Sequence, residues 1–315
     1  MSRKSPAVPL LLATAAAVGV YALFVRALDG ARARLAGRSD TLETASGTVE
    51  YAEAGEGQPV LVVHGASGGF DPALEMTGAL ADKGYRLIAP SRFGYLRSGL
   101  PDDASPARQA DAFAELLDHL GVDKTVDVGI SAGAWSSLRF AVRYPHRCRA
   151  LVLLVPADAL PVGTSMHGGG VVRAMFASDF VAWAAVTLNR VLPRIFTPLI
   201  LGTGADVVLG AVPSEQARVR RLLDHLLPIS WRRAGMGLDV ATAADVEECP
   251  IETIACPVLT ISAKDDAFGT ARRARSIASS VPDGQAVIYS TGGHALVGRH
   301  DEALRAITGF LAGIR

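Results

Sequence analysis

The chain has 315 residues, of which 50% are apolar and 20% are charged. This length and composition predict one large globular domain with a sizeable core, with or without an insertion. Lysine plus arginine and aspartate plus glutamate balance at 31 each, so the charge balance does not indicate a protein that binds nucleic acid.

The three cysteines, Cys148, Cys249 and Cys256, form no disulfide framework. An odd count favours free thiols, and a Cys249–Cys256 bridge is the alternative in an oxidising compartment. No group of residues has the spacing of metal ligands, so we expect neither a metal nor another cofactor.

Residues 7–25 form a stretch of 19 positions without charge, preceded by Arg3 and Lys4. At 1.5 Å per residue this stretch is about long enough to cross a hydrocarbon core of about 30 Å. We therefore expect residues 1–40 to hold a single membrane-spanning helix and a basic connector. The alternative is a signal peptide cleaved at Ala-Arg-Ala, residues 31–33, which would release a secreted protein. Arginines on both sides leave the orientation open, with a lean toward a cytosolic C-terminal part.

Beyond the connector, strand and helix patterns alternate. Residues 41–53 alternate apolar and polar side chains around Gly47, which predicts a strand pair at a sheet edge. Continuous apolar runs predict strands buried on both faces. These runs cover residues 59–63, 85–89, 125–130, 150–155, 257–261 and 286–289. Helical patterns fall at 72–83, 106–120, 132–144, 270–280 and 301–312. The order is that of an α/β protein with a doubly wound, mostly parallel sheet.

The alternation stops between residues 156 and 250, where the pattern is helical and rich in apolar residues. We interpret this segment as a helical lid over the edge of the sheet where ligands bind in open α/β folds. A purely structural subdomain is the alternative. The predicted division is thus an anchor and connector (1–40), a first core part (41–155), a lid (156–250) and a second core part (251–315).

The segment Gly129-Ile130-Ser131-Ala132-Gly133 matches G-x-S-x-G between a predicted strand and a predicted helix. A serine on such a turn adopts strained backbone angles, and its flanking glycines let the neighbouring chain approach closely. The serine hydroxyl would then face the free N–H groups of the following helix. Taken alone, the match is equally typical of an ordinary strand-turn-helix unit.

A serine nucleophile needs a base, and the base needs a group that fixes its tautomer. The sequence offers both after later strands, because Asp265 and Asp266 follow residues 257–261 and His294 follows residues 286–289. His300 is a weaker second candidate for the base.

These features together resemble the α/β-hydrolase fold over about residues 45–315. The matching marks are His64-Gly65 after the third strand, the loop 90–98, the turn 129–133, Asp266, and Gly293-His294 near the end. The resemblance implies that Ser131 is the nucleophile, His294 the general base and then acid, and Asp266 the orienting carboxylate. It also implies an oxyanion hole made by the N–H groups of Ala66 and Ala132, with His64, Gly65, Gly129 and Gly133 in supporting positions.

One position departs from the family pattern. The family usually has glycine three residues before the acid, where this sequence has Ala263, so Asp265 stays an alternative to Asp266. Asp158, after the predicted strand 150–155, is a third candidate because some members of this fold carry their acid there. A serine at position 131 argues against the haloalkane dehalogenase and epoxide hydrolase branches, which use an aspartate there.

The resemblance implies a serine hydrolase that cleaves a small hydrophobic ester, and a membrane anchor would suit a lipophilic substrate. Apolar residues of the predicted lid favour a hydrophobic pocket, although they are equally compatible with packing inside the lid. These residues are Met166, Met175, Phe176, Phe180, Trp183 and Phe196. The same three catalytic groups also support hydrolysis of carbon–carbon bonds, perhydrolysis or amide hydrolysis, and a non-catalytic binding protein is the alternative outside enzymes.

Overall fold

A computed structural model of the chain describes residues 7–159, 175–245 and 247–314. Its core is an eight-stranded sheet. The strands are β1 (Asp40–Thr44), β2 (Gly47–Ala54), β3 (Gln58–Val63), β4 (Tyr85–Pro90), β5 (Thr125–Ile130), β6 (Cys148–Leu154), β7 (Val258–Ala263) and β8 (Gly284–Tyr289). They lie in the order β1-β2-β4-β3-β5-β6-β7-β8, and only the β1/β2 and β2/β4 pairs are antiparallel. The predicted mostly parallel sheet and its edge hairpin are confirmed.

Helices cover both faces of this sheet. They are α2 (Phe70–Thr77), α3 (Pro106–His119), α4 (Gly133–Arg143), α10 (Thr270–Ser280) and α11 (His300–Ala312), and the chain begins with a further helix, α1 (Ala7–Leu35). On one face, Phe70 of α2 and Ile307 of α11 join a core cluster with Val62. On the other face, Phe113 of α3 and Leu138 of α4 join a second cluster with Leu151. Burial from both sides explains why the parallel strands are continuous apolar runs.

The described part of the segment between β6 and β7 is largely helical, and we call it the helical insertion. It contains α5 (Asp179–Asn189), α6 (Pro193–Leu201), α7 (Ala205–Leu209), α8 (Pro213–Asp224) and α9 (Arg233–Ala244). Met166, which we predicted to line a pocket, lies outside the described residues.

Helix α1 is longer than the apolar stretch that predicted it. The part from Leu11 to Leu35 is long and apolar enough to cross a membrane, and its most apolar window of 18 residues is not buried. The helix continues past the apolar stretch 7–25 through basic residues to Leu35. The arginines, alanines and leucines of this part are good helix formers.

The C-terminal part of α1 packs on the helical insertion. The Phe24 ring lies 5.3 Å from the Phe180 ring and 5.7 Å from the Trp183 ring of α5, measured between centroids. Ala31 is buried in a cluster with residues of the insertion. Helix α1 therefore combines an exposed apolar part with a part that belongs to the folded body.

All three cysteines are free. The structure has no Cys249–Cys256 bridge, and Cys256 Sγ contacts Cys148 Sγ at 3.6 Å. Cys148 opens β6 and Cys256 precedes β7, its neighbour in the sheet, whereas the 3-10 helix Ile251–Thr253 separates Cys249 from Cys256.

Candidate active site

Ser131 lies on the turn between β5 and α4 with a left-handed backbone, at φ 50°. The turn is tight on both sides. A Cβ at position 129 would lie 2.6 Å from Ser137 Oγ, and one at position 133 would lie 2.4 Å from the Val63 carbonyl oxygen. Only glycine fits at these two positions, so the sequence can form this strained turn and project the Ser131 hydroxyl beyond the sheet.

The His294 imidazole lies between Ser131 and Asp266. Its Nε2 is 3.0 Å from Ser131 Oγ, and its Nδ1 is 2.8 Å from Asp266 Oδ2. The three side chains follow β5, β7 and β8, whose C-terminal ends meet at one edge of the sheet. An imidazole held in this way can take a proton from the hydroxyl while the carboxylate fixes its tautomer.

The Asp266 carboxylate is held by several donors. Oδ1 accepts a hydrogen bond from the Phe268 N–H at 2.9 Å, and Oδ2 accepts one from the Thr270 hydroxyl. Burial by itself would raise the pKa of Asp266, but the charge and hydrogen bond of His294 and these two donors lower the pKa below its usual value. Asp266 is therefore ionised at neutral pH.

The alternative acids and base have other contacts. The Asp265 carboxylate accepts hydrogen bonds from the Gly292 and Gly293 N–H groups at 3.2 and 2.8 Å, so it holds the loop that carries His294. Asp158 forms an ion pair with Arg272 at 3.0 Å. Within the described residues, no hydrogen bond joins His300 to Ser131. The geometry therefore supports Asp266 and His294.

The loop after β3 lies against the serine. A Cβ on Gly65 would be 2.8 Å from Ser131 Cβ, so the backbone that leads to Ala66 lies directly beside the hydroxyl. Among the residues that the structure describes, none accepts a hydrogen bond from the N–H of Ala66 or Ala132. Both groups are thus available to an oxyanion, and their predicted role stays a prediction.

The His64 side chain holds the backbone of this loop through hydrogen bonds. Its Nε2 accepts a hydrogen bond from the Arg92 N–H at 2.8 Å, and its Nδ1 lies 2.7 Å from the Gly65 carbonyl oxygen. Burial and the charge of Arg92 lower the pKa of His64 well below its usual value. His64 is therefore a neutral imidazole that fixes the backbone of the loop.

Two buried arginines connect the same loop region to the helical insertion. Arg92 Nη1 and Nη2 donate to Asp239 of α9 at 2.6 and 2.7 Å, and Arg92 Nε donates to the His64 carbonyl oxygen at 2.9 Å. Arg232 donates to Asp71 at 2.8 Å and to the Gly68 carbonyl oxygen. Sequence reasoning missed these pairs. The available signal was a lone acid, Asp239, in a helical segment whose other charged residue is Arg233 at its first position.

The apolar residues predicted to line a pocket have mixed positions. Met175 is buried in a cluster with Tyr95, and Phe176, Trp183 and Phe196 pack against that cluster. Phe180 is exposed. Met175, Phe176, Trp183 and Phe196 thus pack where the insertion meets α1 and Tyr95, and their role in a pocket stays a prediction.

Residues 58–301 match the family model of the alpha/beta hydrolase fold. The chain therefore belongs to the α/β-hydrolase family and is a hydrolase. Its sheet, the turn that carries Ser131 and the loop that carries His294 follow one another along the chain in the order that the sequence predicts.

Three similar proteins illustrate the range of the family. An uncharacterized hydrolase of Bacillus subtilis (strain 168), YcgS, is 29% identical over 242 residues, which are 73% of this chain and 82% of that protein. A 2-hydroxy-6-oxo-6-phenylhexa-2,4-dienoate hydrolase of Burkholderia cepacia is 26% identical over 81% of this chain and 88% of that protein. The solved structure of an alpha/beta hydrolase fold protein from Nakamurella multipartita has a TM-score of 0.71 and 26% identity, with 87% of this chain and 98% of that chain covered.

Proposed function

We propose that the protein hydrolyses a hydrophobic carboxylic ester through an acyl-enzyme on Ser131. The observation that carries this proposal is the pair of contacts of His294, 3.0 Å to Ser131 Oγ and 2.8 Å to Asp266 Oδ2. His294 removes the hydroxyl proton as Ser131 attacks the ester carbonyl, and then protonates the leaving alcohol. Water attacks the acyl-enzyme in the second half, with His294 again acting as the base.

The negative charge that develops on the carbonyl oxygen needs donors that are already in place. The N–H groups of Ala66 and Ala132 are the donors that we propose, because Ala132 follows Ser131 in the chain, Gly65 before Ala66 lies against Ser131, and neither N–H has an acceptor among the described residues. Arg92 and Arg232 would keep the loop with Ala66 in position through their contacts with His64 and Gly68.

The preference for a neutral, hydrophobic substrate rests on the surroundings of the proposed catalytic groups. The Phe268 ring packs edge-on against the His294 ring with 4.8 Å between centroids, and Ala132 clusters with Trp135 and Ala157. The two buried arginines that contact the loop after β3 are each bound by a carboxylate, Asp239 or Asp71. They therefore leave no free positive charge there for an anionic substrate.

The second candidate is hydrolysis of a carbon–carbon bond, which the name of the Burkholderia relative supports. The substrate in that name is a carboxylate, so an enzyme of this kind benefits from an unpaired basic side chain near the serine. Comparing initial rates on a dienoate ketone and on an ester of equal length separates the two candidates. Faster turnover of the dienoate ketone than of the ester would contradict the ester proposal and favour carbon–carbon bond hydrolysis.

Labelling by a fluorophosphonate probe tests the nucleophile. We expect wild type to be labelled and Ser131→Ala to be unlabelled, whereas the surface control Ser279→Ala is labelled like wild type. Equal labelling of Ser131→Ala and wild type would favour a binding protein or another reactive group.

A series of p-nitrophenyl esters of increasing chain length tests the substrate. A preference for acetate over octanoate would contradict a hydrophobic acyl group.

The exposed apolar part of α1 is proposed to anchor the protein in a membrane. In support, the helix is long and apolar enough, and Leu28 and Ala31 beyond this part are buried in the folded body. A signal peptide that ended at Ala33 would remove those packed residues. Washing membranes with carbonate tests the anchor. A soluble product that begins after Ala33 would contradict it.

The helical insertion is proposed to act as the lid of the site. The main support is that it meets the loops of both His294 and Asp266. The Thr203 hydroxyl accepts a hydrogen bond from the Ala295 N–H at 3.3 Å, and the Gly202 carbonyl oxygen accepts one from the Ala267 N–H at 3.0 Å.

A further inference from the structure

The helical insertion has an apolar surface that packing among the described residues leaves exposed. It consists of side chains on α5 and at the start of α6, and we call it the insertion face. Its members, with their exposed fractions, are Phe180 (42%), Leu188 (42%), Val191 (71%), Leu192 (45%) and Ile195 (60%). Phe180, Leu188 and Val191 are spaced by eight and three residues, which places them on one stripe along α5 and its extension.

The insertion face continues the exposed apolar surface of α1. Phe24 of α1 contacts both Phe180 and Trp183, and the residues before Phe24 are the apolar ones proposed to cross the bilayer. Among these, Leu11, Leu12, Val18, Tyr21 and Leu23 are more than 60% exposed. If α1 spans the bilayer as proposed, its exposed part ends where α5 begins its exposed stripe, and α5 would lie at the surface of the membrane.

The charges beside the insertion face suit phospholipid headgroups. Arg190 and Arg194 flank Val191 and Leu192, and their side chains are 61% and 71% exposed. Their ion pairs with Asp224, at 3.4 Å, and Asp206, at 2.9 Å, lie at the surface, where such pairs contribute little. Exposed apolar side chains with arginines at their border and a tryptophan nearby are typical of segments that lie in the membrane interface.

From these contacts we infer that the insertion face docks on the phospholipid bilayer in which α1 is anchored, so that α5 and the start of α6 contact lipid. This inference rests on the proposed anchoring of α1.

Helix α6 then connects the bilayer with the proposed catalytic groups. Ile195 in its first turn belongs to the insertion face, while Gly202 and Thr203 after its last turn contact the loops of Phe268 and Gly293. Nine helical residues span about 13 Å. A hydrophobic ester that leaves the bilayer at the insertion face would thus be separated from the loop of His294 by little more than the length of α6.

Site-specific photo-crosslinking of the full chain in vesicles of phosphatidylcholine and phosphatidylglycerol tests the docking. Benzoylphenylalanine replaces Val191 on the insertion face, Leu12 in the proposed span, or Leu100, a 54% exposed apolar residue outside the insertion. We expect lipid adducts at positions 12 and 191 and none at position 100.

The outcomes separate the two proposals. A lipid adduct at position 12 without one at position 191 would overturn the docking and leave the anchor intact. No adduct at either position would overturn both. A crosslinked dimer through position 191 would assign the insertion face to a second copy of the chain, and would also overturn the docking.

A functional variant adds a second measurement. The double variant Val191→Glu/Ile195→Glu should keep wild-type turnover of water-soluble p-nitrophenyl acetate. Its turnover of a long-chain ester dissolved in the vesicles should fall at least about tenfold, because two aliphatic side chains no longer enter the interface. Leu100→Glu is the matched control and should change neither rate. Equal rates of wild type and the double variant on the long-chain ester would contradict the inference.

Discussion

Asp265 and Asp266 are neighbours in the sequence, but their carboxylates have different partners. Asp266 contacts the imidazole of His294, and Asp265 contacts the backbone of Gly292 and Gly293. At the scale of single residues, this difference predicts which substitution removes activity. Asp266→Asn should lower kcat by about 1,000- to 10,000-fold, because an amide does not fix the required tautomer of His294.

The matched control is Asp265→Asn, whose amide oxygen can still accept one of the two backbone hydrogen bonds. We expect its kcat to stay within about tenfold of wild type. Steady-state rates on one chromogenic ester give both values. If Asp265→Asn were the more damaging substitution, Asp265 would be the acid.

Asp127 on β5 predicts a pH effect on stability. The residue is completely buried, Ser137 donates to its Oδ1 at 2.8 Å, and its Oδ2 has no hydrogen-bond partner among the described residues. Burial raises the pKa of Asp127 from 3.8 to about 7, although the hydrogen bond of Ser137 opposes the shift. A carboxyl with a raised pKa stabilises the fold below the pKa of the unfolded chain. This contribution is lost as the pH rises through the folded-state pKa.

Asp127→Asn keeps the shape of the side chain and removes the charge. The difference in unfolding free energy, variant minus wild type, should be about 2–4 kcal/mol larger at pH 8 than at pH 4. Denaturant unfolding of both proteins in detergent at the two pH values measures this gain. A difference that does not change with pH would contradict the raised pKa.

At the scale of elements, the Arg92–Asp239 pair ties the loop after β4 to α9. Removal of one partner leaves a buried charge without its counterion. Asp239→Ala should therefore cost about 3–5 kcal/mol of unfolding free energy. The double variant Arg92→Met/Asp239→Leu should recover much of this loss, because it leaves no uncompensated charge. Denaturant unfolding in detergent measures both. A double variant as unstable as Asp239→Ala would show that the unpaired charge of Arg92 is not what destabilises the single variant.

The strands and the turn at Ser131 could be predicted because their signals are local. A buried parallel strand is a continuous apolar run, and the turn at Ser131 needs glycines at fixed positions. The Arg92–Asp239 pair has no local signal, since 147 residues separate its partners.

The helix predicted at 72–83 is in fact an α-helix to Thr77 followed by a 3-10 helix from Gly78. Glycine is a weak helix former, which explains the change at this residue.

The choice between Asp265 and Asp266 also lay beyond the sequence pattern alone. Both residues follow β7, so position along the chain does not separate them. The contacts that favour Asp266 come from Thr270, Phe268 and His294, and these contacts depend on the path of the loop. The roles of Ala66 and Ala132 stay predictions for the same reason, because an oxyanion hole is defined by the directions of its N–H groups.

At the scale of the whole molecule, α1 belongs both to the proposed anchor and to the folded body. Ala31 is 1% exposed in a cluster with Tyr95 and Met236. Ala31→Asp would bury a charge in that cluster, so we expect the helical insertion to loosen and limited proteolysis of α5 and α6 to become faster. Ala33→Asp is the control on the exposed side of the same helix and should be cleaved like wild type. Equal cleavage of both variants would show that α1 does not support the insertion.

Helix α1 is unbroken from its exposed apolar part to Leu28 and Ala31, so no flexible tether separates the hydrolase body from the proposed anchor. A long tether would let an enzyme swing and sample the surrounding solution. A continuous helix instead fixes the height and the tilt of the proposed active site above the membrane. With the proposed anchor and a substrate dissolved in the bilayer, the rate is expected to follow the mole fraction of substrate among the lipids, so added inert lipid should slow the reaction even when the total amount of substrate is constant.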